Sequence, residues 1–128
     1  MSEQINTSGI ISGYIDVILL KIISLGDCYG YVISKTLSQI TDGAEIKEAT
    51  LYSGLRRMEA GKLVASYWGD ETQGGRRKYY TLTQGGVESL EENIRKWEKT
   101  KELLDKILKW EGAGYGQASH NQLCRPTV

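Results

Sequence analysis

The sequence predicts an α+β protein that is mainly α-helical, and three observations lead to this fold class. Apolar residues recur at helical spacing through residues 10–60, with turn signals at Gly26 and at Asp42-Gly43. Two short runs of alternating side chains follow, and they predict a β-hairpin. Beyond residue 83 the apolar positions repeat at steps of three and four, which predicts one long C-terminal helix.

Composition narrows the range of functions. The chain has 128 residues, 40% of them hydrophobic, and its 16 basic residues balance 16 acidic ones. One domain of this length buries a modest core, but its long last helix needs a partner to cover it. A net charge of zero does not fit a protein that coats nucleic acid without specificity, yet the basic residues are clustered. The clusters are Arg56, Arg57 and Lys62, and Arg76, Arg77 and Lys78.

Apolar runs and cysteines predict a cytoplasmic protein without a membrane partner. The longest nearly unbroken apolar run is Val17–Leu20, which is too short to span a membrane, and no N-terminal secretion signal is recognised. Cys28 and Cys124 lie far apart in the sequence. A structural disulfide is therefore not predicted, and free thiols fit a reducing compartment.

Three helices are predicted before the hairpin. Ile10–Leu25 is apolar on nearly every side, so we expect one face to pack on its own domain and another to meet a second subunit. Tyr29–Ile40 forms the second helix and Lys47–Ala60 the third, which ends at Gly61. The inner stripe of the third helix is predicted to consist of Leu51, Leu55 and Met58.

The hairpin joins residues 63–68 to residues 78–82 through a polar loop. Gly74 and Gly75 can supply the positive φ that its turn needs, and the loop ends in three consecutive cations. Helix, helix, turn, helix and β-ribbon is the order of a winged helix-turn-helix, with the third helix as the recognition element. The alternative is an ordinary surface hairpin with a solvated basic edge.

The last helix is predicted to begin after Thr83 as its N-cap. Its heptad positions are Val87, Leu90, Ile94, Trp97, Lys101, Leu104 and Leu108. We favour pairing of this seam across a dimer, and the alternative is an amphipathic helix that folds back on its own domain. The predicted organisation is a winged helix-turn-helix over residues 9–82, a dimerisation helix over 83–111 and a flexible tail over 112–128.

Several short motifs resemble the PadR family of bacterial transcriptional regulators, especially its short members with a single C-terminal helix. The matching segments are Val17-Ile18-Leu19-Leu20, Glu48–Tyr52 with Arg57-Met58-Glu59, Ser66–Glu71, Gln73–Tyr80, and Leu82-Thr83 with Gly86. The resemblance covers roughly residues 10–108. Within the family the chain is similar to multidrug-sensing repressors of efflux-pump operons. In those proteins two Trp residues, one from each subunit, face each other across a central pore, and Trp97 stands at that position.

The recognition helix and the wing hold the residues predicted to bind a double-stranded DNA operator. They are Lys47, Thr50, Tyr52, Ser53, Arg56, Arg57, Gly74, Gly75, Arg76, Arg77 and Lys78. Arg56 and Arg57 lie about 100° apart on a helix. One is therefore expected to clamp a phosphate while the other is solvated or has an intramolecular partner. Tyr52 either packs, which we favour, or offers its hydroxyl to a phosphate.

The resemblance also implies a site for a planar aromatic small molecule at the dimer interface. Its predicted lining is Gly13, Asp16, Val17, Leu20, Asn93, Trp97 and Lys101. Trp97 has the alternative role of a buried core anchor. Asp16 either binds a cationic ligand, pairs with Lys101 or faces solvent at the pore mouth. Lys101 replaces the acid of the multidrug-binding relatives, which argues against a preference for cationic drugs.

Catalytic and cofactor sites are not predicted. The only histidine, His120, lies in the tail, and two distant cysteines do not provide four-ligand zinc spacing. Gly112–Gly116 is glycine-rich, but no predicted strand precedes it. The leading hypothesis is therefore a homodimeric repressor, not an enzyme, that loosens from its operator when a small aromatic molecule binds. The alternative is a winged-helix adaptor that binds proteins and not DNA.

Overall fold

Helices and a small antiparallel sheet make up the structure, which is a computed structural model that describes Gly9, Ile11, residues 13–69 and residues 75–112. In chain order the elements are α1 (Ile15–Ser24), β1 (Cys28–Tyr29), α2 (Gly30–Ile40), α3 (Glu48–Ala60), β2 (Val64–Trp68), β3 (Lys78–Leu82) and α4 (Gln84–Leu108). This architecture confirms the predicted fold class. By backbone contacts the chain divides into two compact units, one ending at Ile94 and the other beginning at Arg95.

The first predicted helix is interrupted near its start. Gly9, Ile11 and Gly13 have helical backbone, but Tyr14 lies in a turn with φ −121° and ψ 23°, and α1 begins only at Ile15. Glycine is a weak helix former, so Gly13 is a natural place for the helix to break. The predicted span of Ile10–Leu25 was therefore too long as a single helix.

The sheet has a third strand that the sequence analysis did not predict. The strand order is β1-β3-β2, and both pairings are antiparallel. Tyr29, predicted as the start of the second helix, belongs instead to β1 and pairs with Tyr79, while Cys28 pairs with Tyr80. A strand of two residues is too short to show alternation, so its pairing is visible only in the folded chain.

The core lies between the first three helices and the inner face of the sheet. Its largest fully buried side chains are Leu19, Leu20, Ile23, Ile33, Leu55, Met58 and Val64. The predicted inner stripe of α3 is confirmed, because Leu51, Leu55 and Met58 are all buried. α3 and α1 approach closely at Gly54, where an added Cβ would lie 2.9 Å from Cδ1 of Leu19.

The start of α4 is capped as predicted. The Gly86 N–H donates to Oγ1 of Thr83 at 3.0 Å, which is the N-cap contact to the third residue of the helix. The Thr83 hydroxyl also donates to the Lys62 carbonyl at 2.7 Å. Gly86 is required here because an added Cβ would lie 2.1 Å from the Leu63 carbonyl oxygen.

The predicted heptad seam has two different environments. In the first unit Leu90 is buried and Ile94 packs partly against the core. In the second unit the large apolar side chains are exposed, from 43% for Trp97 to 77% for Leu108. The others are Leu103, Leu104, Ile107 and Trp110. Among the described helices, none combines the length and the apolar character needed to cross a membrane.

Candidate nucleic-acid interface

The outward face of α3 is polar and basic because its opposite face is used for packing. Lys47 is the N-cap in extended conformation, and Lys47, Ser53, Arg56 and Arg57 are exposed, while Thr50 is half-buried. A shallow cavity of about 510 Å³, here called the α3 cavity, lies on this face. It is lined by Ile15, Ala49, Thr50, Ser53, Arg56 and Arg57.

The two adjacent arginines of α3 have different surroundings. Nη2 of Arg57 donates to Oδ1 of Asp16, which forms an ion pair between α3 and α1. Both side chains are about half exposed, at 54% and 53%. Within the described part of the chain the Arg56 guanidinium makes neither an ion pair nor a hydrogen bond. Arg57 is thus the arginine with the intramolecular partner.

The wing is a regular two-stranded ladder. Its register runs from Val64 opposite Leu82 to Trp68 opposite Lys78. The Gly69 N–H then donates to the Arg77 carbonyl at 2.7 Å and extends the pairing toward the tip. The tip itself, residues 70–74, lies outside the described residues, and so does the predicted contact of Gly74. Gly75 has φ +82°, which confirms the positive φ predicted for this turn.

Each of the three wing cations lies over an aromatic ring. Cζ of Arg76 is 5.1 Å from the ring centre of Trp68, and Cζ of Arg77 is 4.8 Å from that of Tyr29. Nζ of Lys78 is 5.7 Å from the ring centre of Tyr80 and 3.6 Å from Oε1 of Glu59. These distances fall in the range of cation–π contacts, which restrain the cations while leaving Arg76 and Arg77 exposed.

The cations also alternate between the faces of the sheet, as predicted. Arg76 and Lys78 contact Trp68 and Tyr80, which the register places on the inner face. Arg77 contacts Tyr29, which pairs with Tyr79 and therefore lies on the outer face. The outer face continues with Tyr67, whose ring stacks on Tyr79 and whose hydroxyl donates to Asp27 at 2.6 Å.

A second cavity, of about 410 Å³, lies where the wing meets α3, and we call it the wing-base cavity. Its lining is Tyr29, Gly30, Tyr52, Arg56, Arg77, Lys78 and Tyr80. It forms at this place because β1 pairs only with Tyr79 and Tyr80, which leaves the edge of β3 open beyond the end of β1. At this open edge the outer-face residues Tyr29 and Arg77 and the inner-face residues Lys78 and Tyr80 line the same cavity. Burial is the main cause of the raised pKa of Tyr80. The neighbouring Glu59 and Tyr52 raise this pKa further, and Arg56 lowers it.

Tyr52 reaches this cavity because residue 30 is a glycine. A Cβ added at Gly30 would lie 2.0 Å from Oη of Tyr52 and 2.6 Å from its Cζ. Tyr52 is half-buried and packs against the core, in line with the packing role that we favoured. Sequence reasoning missed Tyr29 and Gly30, and the one available signal was a glycine inside a predicted helix.

Four of the predicted ligand residues line a third concavity, the α1 cavity, of about 350 Å³. Its lining is Gly13, Tyr14, Ile15, Asp16, Val17, Arg57 and Asn93. Asp16 pairs with Arg57, a partner that the sequence analysis did not consider. The Asn93 side chain is held by its donation to the Ser89 carbonyl at 2.7 Å.

Leu20 requires a correction among the predicted ligand residues. It is 0% exposed in the core of the protomer and offers no surface to a ligand, because α1 directs it toward the packed interior. Trp97 and Lys101 are exposed residues of the second unit. Within the described ranges no group of three or more His, Cys, Asp or Glu side chains is placed to hold a metal ion.

Comparisons with known proteins agree with this geometry. Residues 19–92 match the family model described as "Transcriptional regulator PadR-like family". A curated relative from Lysinibacillus sphaericus, an uncharacterized protein, is 42% identical over 99 residues, which are 77% of this chain and 91% of that protein. The family match spans α3 and both wing strands.

Solved structures give the same result. A transcriptional regulator from Clostridium thermocellum has 42% sequence identity and a TM-score of 0.72, covering 80% of this chain and 100% of that one. A PadR family transcription regulator from Clostridium difficile R20291 has 40% identity and a TM-score of 0.67, covering 75% of this chain and 99% of that one.

Proposed function

Because the chain belongs to the PadR-like family of transcriptional regulators, which bind DNA, we propose that it is a homodimeric repressor whose operator complex dissociates when a small planar aromatic molecule binds. The observation that carries the proposal is the joint exposure of α3 and a basic wing beside it. The recognition helix supplies groove-facing polar groups, and the wing supplies cations for the phosphate backbone.

The α3 face has the side chains that base and phosphate contacts need. Thr50 and Ser53 are short hydroxyl side chains at the α3 cavity, and Arg56 is a long cation beside them. Lys47 stands at the N-cap, where a cation is near the start of the helix and free to reach a phosphate. Arg76, Arg77 and Lys78 extend the basic surface along the wing.

The homodimer is supported by the apolar residues of the second unit. Trp97, Leu104 and Leu108 recur at heptad spacing and are exposed in the protomer. Exposed apolar surface of this extent is typical of an interface with another subunit. Trp97 and Lys101 remain assigned to the aromatic ligand on the sequence resemblance, with Trp97 as the stacking ring.

The position of Arg57 supports the proposal that ligand binding releases the protein from its operator. This side chain lines both the α1 cavity and the α3 cavity, and Asp16 holds it through an ion pair. A molecule that enters the α1 cavity changes the surroundings of Asp16 and hence of an arginine on the DNA-facing helix. Such a ligand weakens operator binding only if it favours one arrangement over the other.

The test combines DNA binding with tryptophan fluorescence. Fluorescence anisotropy of a labelled duplex from upstream of the protein's own gene should show specific binding by the wild type. A planar aromatic that does not bind duplex DNA, such as a coumarin, should quench the protein's fluorescence and release the duplex. Trp97→Ala should abolish both effects while folding and operator binding are retained.

Controls show which tryptophan is quenched and distinguish the repressor from the alternative, a protein-binding adaptor. Single-tryptophan variants that keep only Trp68, Trp97 or Trp110 assign the quenching to one ring. If the wild type binds no duplex but captures a protein partner, the adaptor hypothesis replaces the repressor. If Trp97→Ala responds to every tested compound normally, or unfolds, the residue serves packing and the sensor proposal fails for this site.

A further inference from the structure

We propose that the wing-base cavity is a seat for one phosphate group, and that in the operator complex this group is a single backbone phosphate of the DNA. This inference rests on the proposed DNA binding and adds to it a defined site of one phosphate per protomer. It is carried by three cations from two elements that line one cavity, Arg56 from α3 and Arg77 and Lys78 from the wing.

The lining of the cavity is rich in hydrogen-bond donors. Guanidinium and ammonium groups donate and do not accept, and a tyrosine hydroxyl can turn to donate. Tyr52 brings such a hydroxyl into the cavity by passing close to Gly30, and Tyr29 and Tyr80 are also part of the lining. Two guanidinium groups suit phosphate oxygens because their donors form a planar fork.

Two of the three cations, Arg77 and Lys78, are restrained before any ligand arrives. Arg77 lies over the ring of Tyr29, and Lys78 contacts both the ring of Tyr80 and the carboxylate of Glu59. Glu59 also accepts a hydrogen bond from the Ser66 hydroxyl at 2.5 Å, and it is absent from the lining. The carboxylate that pairs with Lys78 thus lies outside the lining, and the restrained side chains lose little freedom when an anion binds.

The source of the phosphate follows from the neighbours of the cavity. Arg56 lines both the wing-base cavity and the α3 cavity, so the seat adjoins the groove-facing residues Thr50 and Ser53 on one side. On its other side it adjoins the wing cations. A duplex that contacts α3 and the wing together must carry its backbone past this point, which places one phosphodiester at the seat.

The experiment removes charges from the protein and from the DNA, first separately and then together. In the duplex that the wild type binds, single backbone phosphates are replaced by uncharged methylphosphonates along each half-site. At one position the wild type should lose roughly 10-fold or more in affinity, as expected for a charge-assisted contact. Arg56→Ala with Arg77→Ala should lose a similar factor on native DNA and lose nothing further at that position, while other positions still weaken it.

Matched variants keep the test interpretable. Arg95→Ala with Lys106→Ala removes the same two positive charges from exposed residues of the second unit and should retain full sensitivity at every position. Arg56→Gln with Arg77→Gln repeats the test if the alanine pair folds poorly by circular dichroism. If the double variant became insensitive at two positions, the two arginines would serve different phosphates. Additive losses at every position would mean that neither arginine contacts a backbone phosphate, and either result would overturn the single seat.

A second experiment tests whether the seat binds a free phosphoryl ligand and not a DNA phosphate. The DNA-free protein is titrated with inorganic phosphate at constant ionic strength and monitored by NMR. Saturable binding that the double variant loses, without any methylphosphonate coupling, would identify a free phosphoryl ligand and overturn the DNA assignment. Absence of both signals would overturn the seat. If the wild type binds no duplex, the proposed function fails, and the phosphate titration alone decides whether the seat exists.

Discussion

Two exposed regions of the molecule differ in how their side chains are supported. The first, the α3–wing surface, consists of the outward face of α3 and the wing cations Arg76–Lys78, and the second, the distal surface, consists of the apolar side chains of α4 beyond Arg95. The wing cations are restrained by the protomer itself, through the rings of Trp68, Tyr29 and Tyr80. The distal apolar residues, such as Leu104 and Leu108, are exposed. The first surface is therefore organised within one chain, whereas the second is completed by another subunit in the proposed dimer.

The strongest contrast between the two surfaces is their response to salt. A dimer that neutralises roughly 6–10 phosphates should lose about 10³-fold or more in operator affinity between 50 and 200 mM salt. Dimerisation through apolar side chains should change little over the same range. Anisotropy titrations and sedimentation at both salt concentrations measure the two effects. Arg76→Ala with Lys78→Ala should flatten the slope for DNA alone, and an unchanged slope would exclude the wing contacts.

A charge in the heptad seam of α4 should disrupt dimerisation without changing the α3–wing surface. Leu104→Glu places a carboxylate in the proposed interface and should weaken dimerisation by about 2 kcal/mol or more. Sedimentation should then show monomers at micromolar concentration, while circular dichroism shows that the helices persist. Lys106→Glu, at an exposed position of the same helix on the side away from the heptad seam, is the control. A folded wild-type monomer at micromolar concentration would contradict the dimer.

A single methyl group should disturb the α3–wing surface from inside. Gly30→Ala places a Cβ within 2.0 Å of Oη of Tyr52, so the ring must move and the wing-base cavity must change shape. We expect a loss of about 1–3 kcal/mol in the free energy of unfolding, together with weaker DNA binding. Gly13→Ala is the control because nothing lies within 4 Å of its added Cβ. Thermal unfolding of both variants decides whether this contact matters.

The smallest effect is expected at the ion pair between α1 and α3. Asp16→Asn removes a half-exposed pair, so stability should change by less than about 1 kcal/mol. DNA affinity should rise a few-fold because Arg57 no longer has a carboxylate that competes with phosphate. Glu98→Gln removes the same charge from an exposed residue of the second unit and should leave affinity nearly unchanged. Equal affinities for Asp16→Asn and the wild type would remove Arg57 from the DNA contacts.

Local sequence patterns were sufficient to predict most helices and strands and the basic character of the candidate interface. The buried stripe of α3, the N-cap at Thr83 and the positive φ at Gly75 all depend on residues close together in the chain. Helical and alternating periodicities report which face is buried before any tertiary contact is known. For the same reason the alternation of Arg76, Arg77 and Lys78 between the faces of the wing could be predicted from their order.

Contacts between distant residues could be decided only by the folded chain. The pairing of Tyr29 with Tyr79, the ion pair of Asp16 with Arg57 and the complete burial of Leu20 each join or enclose residues from different elements. Periodicity identifies a face of a helix, but it does not say which neighbour covers that face. The sequence by itself therefore determined most of the elements, the basic wing and the family resemblance. The tertiary structure decided which cations share a cavity, because that depends on how α3 and β3 meet.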